Sequence, residues 1–359
     1  MSSTKTMKCP SCGAYLEYDP TSAKLTCPYC GMETAVPPVQ EEPAAASNSA
    51  DVSPDSAEQN VPLKKAAKTP NMVEYHCQNC GAEIVTTATT AATRCYYCHS
   101  PVVLTDRLSA EFHPDGVIPF AINEEKAKQQ FNEFIDGKMF VDRRFFTPDQ
   151  LTYFSGVYYP YWYGEITGVG RFEGRGTRVN VVHTPKETIT TTKYYEVARE
   201  GRMTFTALVR KALSGNDRKL SDGIFPYNND KIRPFSEGYL SGFLAEKRDV
   251  PQADAEKDMI AEVSEHAQGQ LTADAGYNSI RGKTTFRSEK SVMRYVLLPT
   301  WVLTYKGDKK GKTYFYMMNG QKGTVCGKLP VNKGKLALWA VGVFAVVTGL
   351  MCLGGALLW

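Results

Sequence analysis

An α+β fold is predicted for this chain on three observations. Four C-x-x-C pairs fill the first hundred residues, a middle stretch mixes alternating apolar runs with helical segments, and the last 24 residues carry no charge. Strands, then helices, then strands again in the middle stretch favour a mostly antiparallel sheet over a doubly wound parallel one.

The cysteine pairs come first. Cys9 and Cys12 are followed after fourteen residues by Cys27 and Cys30, and Cys77 and Cys80 are followed at the same spacing by Cys95 and Cys98. The two units start 68 residues apart and repeat their flanking sequence, CPSCGA against CQNCGA and CPYCG against CYYCH, which marks an internal duplication. Two cysteines separated by two residues place both sulfurs on one tight turn, and two facing turns complete a tetrahedron around zinc. Glycine follows the second cysteine at Gly13, Gly31 and Gly81, where the turn calls for a positive φ. His99 takes that place in the fourth turn, and neither it nor His76 is needed as a ligand once four thiolates close the site. Each unit is too short to bury a useful core, so two structural Zn²⁺ ions are expected to hold the pair of ribbons together. Four closed ligands leave no open position for a catalytic metal.

The boundaries read from the sequence are ribbon 1 at 1–36, an acidic Pro-Ala-Ser linker at 37–70, ribbon 2 at 71–104, an α+β domain at 105–332 and a transmembrane helix at 333–359. The linker has almost no large apolar side chains and reads as disordered. In the middle domain, residues 123–138 read as a helix with Asn123 as its N-cap. EGYLSGFLAEK and a run near 251–270 read as helical too. Residues 156–174, 188–209, 291–307 and 312–327 read as strands, with turns at 307–311 and at Asn319-Gly320. YYPYW around Pro160 and LLPTW around Pro299 share a P-x-W core in similar strand contexts.

The apolar end, residues 336–359, is long enough to cross a bilayer, with Trp339 and Trp359 spaced for the two interfacial belts. Lys328, Lys333 and Lys335 precede it, so the positive-inside rule keeps the rest of the chain cytoplasmic, in a tail-anchored, single-pass topology. The N-terminus has no apolar segment of the kind a signal peptide needs, and a reducing compartment suits unpaired cysteines.

No catalytic motif stands out. GKTT at 282–285 lacks the first glycine of a phosphate loop, because Tyr277 occupies that place, and GKT at 311–313 fails through Lys306. The net charge of +4 is ordinary for 359 residues. In the first ribbon Lys5, Lys8 and Lys24 are cancelled by Glu17, Asp19 and Glu33; in the second, Arg94 faces Glu74 and Glu83. Neither unit offers the basic face that phosphate binding requires, so protein recognition is favoured over nucleic acid.

VIPFAI, FIDGK, GVYYPYWYG, IRPFSEGYLSGFLAEKRDV, LLPTWVLTYKG and YFYMMNGQKGTVCGKLPV, together with the paired C-x-x-C units, resemble the bacterial TFIIB-type zinc-ribbon membrane proteins of Gram-positive organisms. Some members of that family are encoded beside phage-shock protein A and SPFH/flotillin-like proteins. The resemblance implies a membrane platform that recruits cytosolic or membrane-associated partners during envelope stress, and with two closed zinc sites and no catalytic residues the chain reads as a non-enzymatic adaptor. The alternative function is a membrane-tethered nucleic-acid-binding regulator.

Overall fold

The computed structural model describes residues 4–37, 72–77, 79, 83–87, 89–95, 100–104, 108, 112–142, 154–214, 221–273, 276–307 and 312–357. The predicted linker, except Pro37, and the 308–311 turn lie outside the described residues, as do Cys80, Gly81, Cys98, His99 and Trp359.

The chain opens with β1 (Thr4–Lys5), β2 (Glu17–Asp19), β3 (Lys24–Thr26) and β4 (Glu33–Thr34), followed by β5 (Met72–His76), β6 (Glu83–Thr87), β7 (Thr90–Arg94) and β8 (Pro101–Leu104). β2, β3 and β4 form a small antiparallel sheet, and β5 and β6 pair as a hairpin. β1, β7 and β8 instead join the main sheet. That sheet also takes in β9 (Gly116–Val117), β10 (Phe154–His183), β11 (Thr188–Lys211), β12 (Arg233–Pro234) and β13 (Leu244–Glu246). It is completed by β14 (Ser279–Gly307), β15 (Lys312–Asn319) and β16 (Val325–Gly327), giving eleven strands among the described residues. Among the described residues only the β10–β13 and β9–β14 pairs are parallel. Three long helices, among the described residues, complete the α+β architecture: α1 (Glu124–Asp136), α2 (Gln252–Thr272) and α3 (Lys333–Leu357).

β10 and β14 are far longer than an ordinary strand of five or six residues. They pair antiparallel from Phe154–Leu303 to Thr177–Ser279, and each passes through two different environments. The first is a head. There the runs VYYPYWY and YVLLPTW are buried on both faces, which is why they read as nearly continuous apolar sequence rather than as alternation. The two P-x-W motifs lie against each other, with Tyr158 opposite Pro299 and Pro160 opposite Leu297. Trp301 donates its indole N–H to the Ile122 carbonyl at 3.0 Å, and Trp162 donates to the Val250 carbonyl at 3.0 Å. Phe120, Phe154 and Phe243 surround Trp301. Gly156 admits this packing, since a Cβ there would sit 2.5 Å from the Phe243 ring. α1 closes the head with Ala127, Phe131 and Ile135; its N-terminus is capped as expected, Asn123 Oδ1 accepting the Lys126 N–H at 3.0 Å.

The second environment is an arm. Beyond Tyr163, β10 carries β11 on one edge and β14 on the other, and a hairpin joins β10 and β11 at His183–Thr188. One face is covered by α2, through Ala255, Met259, Val263, Ala267 and Leu271 at four-residue spacing. Phe172, Val197 and Leu271 form a small core of their own there. Arg199 ties strand to helix by donating to the carbonyls of Leu271 and Ala273 at 3.1 and 3.2 Å. The other face is solvated and laced by cross-strand pairs such as Arg202–Glu289 and Arg171–Glu200. No other strand pairs with the outer edge of β11 among the described residues.

One expected helix is corrected. EGYLSGFLAEK forms a 3₁₀ turn at Glu237–Leu240 and then β13. Gly242 sits at φ +91°, which breaks any helix, and Ala245 is drawn into the sheet between β10 and β7.

Candidate metal centre

The first cysteine set is assembled by two copies of one turn. Gly13 N–H bonds back to the Cys9 carbonyl at 2.9 Å and Gly31 N–H to the Cys27 carbonyl at 3.0 Å. The expected positive φ is present, +76° at Gly13 and +72° at Gly31. Each turn is closed five residues on, Cys9 N–H reaching the Ala14 carbonyl and Cys27 N–H the Met32 carbonyl. Cys9 and Cys27 face inward while Cys12 and Cys30 are exposed.

The four sulfurs lie within 4.8 Å of one another, with Cys9–Cys30 at 3.6 Å and Cys12–Cys27 at 3.5 Å. Tetrahedral thiolates at 2.3 Å from a central zinc would be about 3.8 Å apart, so the cluster can hold a metal ion with little adjustment. The Cys12 amide draws the Cys9 thiol below its ordinary value, and the Cys30 amide brings Cys27 down to about 7. Cys12 meets a favourable amide from Ala14, but the Cys27 and Cys30 thiols push it up to about 12. Four adjacent thiolates repel one another unless a cation sits among them.

This ribbon is built into the head. Tyr18 N–H bonds to the Ser241 carbonyl at 2.9 Å, and the Ser241 hydroxyl donates to the Leu16 carbonyl. Arg94 clamps the same corner, pairing with Glu17 at 3.0 Å and donating to the Gly242 carbonyl at 2.8 Å. Leu16, Tyr18, Leu25, Cys9 and Cys27 pack in one core with Trp301 and Phe243. Nothing in the sequence marked Ser241 or Arg94 for this role, because both act through a tertiary contact. A cleft of about 490 Å³ opens beside the clamp, with Glu17, Asp19, Arg94 and Glu124 on its walls.

Of the second set, Cys77 and Cys95 are buried together with Tyr75, Val102 and Leu104, while Cys80 and Cys98 lie outside the described residues. Cys95 N–H reaches the Ser100 carbonyl at 3.0 Å, the same five-residue closure seen at Cys9 and Cys27. His76 is exposed.

α3 is long and apolar enough to cross a membrane, and none of its candidate span is buried. Asn332 caps it, its side chain accepting the Lys335 N–H at 3.0 Å.

No protein-family model matches this chain, and no solved structure matches it. It is similar to a Bacillus subtilis (strain 168) protein named "Uncharacterized protein YdjG". The two are 29% identical over 338 residues, spanning 94% of this chain and 93% of the relative.

Proposed function

We propose that the chain is a non-enzymatic, membrane-anchored zinc-ribbon adaptor. In this reading Cys9, Cys12, Cys27 and Cys30 hold one structural Zn²⁺, which an all-thiolate tetrahedral site favours. Cys77, Cys80, Cys95 and Cys98 hold a second; the shared closure at Cys95 supports it. α3 crosses the cell membrane once and leaves the ribbons, head and arm in the cytoplasm, in keeping with the lysines ahead of it.

The observation that carries the reading is the arm. Phe154, Leu303, Tyr316 and Gly327 lie in one row across the head, and α3 starts six residues after Gly327. From that row β10 runs 29 residues to the hairpin at His183, up to about 95 Å if fully extended. The same strands therefore link the root of the anchor to a remote, solvated sheet with a free edge, an arrangement suited to holding a partner by strand addition. The resemblance noted above points to SPFH/flotillin-like or phage-shock-protein-A-like proteins as those partners, and to envelope stress as the setting.

The test is a crosslinked pulldown from native membranes. It compares the intact chain with Cys9→Ser, with Cys77→Ser and with a variant whose residues 178–193 are replaced by a two-residue turn. Enrichment of a membrane-scaffold protein that the arm variant loses supports the adaptor. Enrichment of nucleic acid supports the regulator, and enrichment unaffected by any variant refutes a role for these elements.

A further inference from the structure

The segment between α1 and β10 is stapled to the root of α3. Asn332 N–H donates to the Phe140 carbonyl at 2.8 Å, Asp142 N–H donates to the Pro330 carbonyl at 3.0 Å, and Val141 bridges Val331. Asn332 is also the residue whose side chain caps α3. Wherever α3 meets a membrane, residues 139–142 are therefore held at the same level.

That level follows from helix geometry. Trp339 lies six residues into α3, about 9 Å from Lys333, where the charge-free run has only just begun. Its ring meets Phe140 edge-on, with centroids 5.8 Å apart. A tryptophan at the first turns of a span sits at the boundary between headgroups and acyl chains, so Phe140 sits there too. Beside it Met139 is 61% exposed, although the neighbouring Val141 and Asp142 are buried. An open apolar groove of about 650 Å³ runs between Met139 and Phe140 on one wall and Trp339, Gly342, Val343 and Val346 on the other. Lys335 also lines it, one turn before Trp339.

We propose that this loop is a second membrane contact and that the groove takes an acyl chain of an anionic phospholipid. Met139 and Phe140 enter the acyl boundary beside Trp339, and Lys335 meets the lipid phosphate. The occupant is a lipid because the groove continues the bare apolar surface of α3, lies between that helix and Met139–Phe140, and has a cation, Lys335, in its lining. This rests on the reading of α3 as a membrane span. Its consequence is mechanical: with two contacts rather than one, the head, and with it the arm, keeps a fixed tilt over the bilayer.

The test uses the full chain in vesicles of phosphatidylethanolamine and phosphatidylglycerol, with a benzophenone amino acid placed singly at Met139, Leu350 or Lys186. Met139 and Leu350 are exposed, and Lys186 lies in the turn at the far end of the arm, so none of the three disturbs a core. On irradiation, lipid adducts are expected at 139 and at 350, each about tenfold above the level at 186. Replacing phosphatidylglycerol with phosphatidylcholine should lower the yield at 139 by roughly fivefold, the share of one lysine near an anionic surface, and leave 350 unchanged. Adducts at 350 but not at 139 would overturn the proposal while leaving the anchor intact. Adducts at neither would overturn both. An equal yield at 139 in the two lipid mixtures would overturn the anionic preference.

Discussion

Head and arm are made from the same strands, yet they are stabilised in different ways. In the head, β10 and β14 lie in a wide sheet, with α1, the first ribbon and an aromatic cluster packed over them. In the arm, among the described residues, only β11 is added, and one helix covers one face. The sequence changes character at the crossing point: VYYPYWYG gives way to EITGVGRFEGRG, in which small and apolar residues alternate with charged and polar ones. A sheet buried on one face only contributes about half the apolar burial per residue, so the arm opens at lower cost than the head. That suits a division of labour in which the head can hold a metal ion and carries the apolar helix while the arm stays accessible.

The largest effect that would sharpen this contrast comes from the metal. Cys27→Ser should remove one metal equivalent per chain and loosen ribbon 1 together with the segment around Ser241, leaving the arm as it was. Elemental analysis and hydrogen exchange read the two halves of that statement. Next, Trp301→Ala should cost about 3–5 kcal/mol of global stability in a denaturant titration, because the cavity opens between packed rings and the Ile122 carbonyl loses its donor. Phe172→Ala is also a deletion of a fully buried ring, but it should cost nearer 2–3 kcal/mol, since α2 can settle onto the thinner arm. Its signature is faster exchange in α2 with the head unaffected; equal loss in both regions would erase the distinction. Arg199→Ala should cost about 0.5–1 kcal/mol by freeing the last carbonyls of α2.

The smallest effect depends on pH. Burial raises the Glu246 carboxyl above the ordinary carboxylate range, so the folded chain holds that proton more tightly than the unfolded one. Its contribution to stability is present in acid and is lost as pH rises through the shifted value. Glu246→Gln should flatten that decline in a comparison of unfolding midpoints across the acid range.

What was legible in the sequence was local. The turns at Gly13 and Gly31, the Asn123 cap, the helix over 251–270 and the apolar α3 all follow from short-range geometry. The turn at Asn319-Gly320 was visible for the same reason. What was not legible depended on distant partners. Tyr18 and Ser241 fuse ribbon 1 to the head through backbone groups that any residue possesses. The 237–247 segment has the composition of a helix, and only the neighbouring strands explain why Ala245 pairs instead. The continuity of β10 over 30 residues was hidden because its hydrophobic pattern changes where head becomes arm.

The most direct test of this account is hydrogen exchange on the full chain in lipid nanodiscs, before and after chelation. Slow exchange is expected at 156–163 and 295–303 and fast exchange at 178–193. Chelation should then deprotect 9–34 and 237–244 without changing the arm. Uniform protection along β10, or a first ribbon indifferent to the chelator, would contradict it.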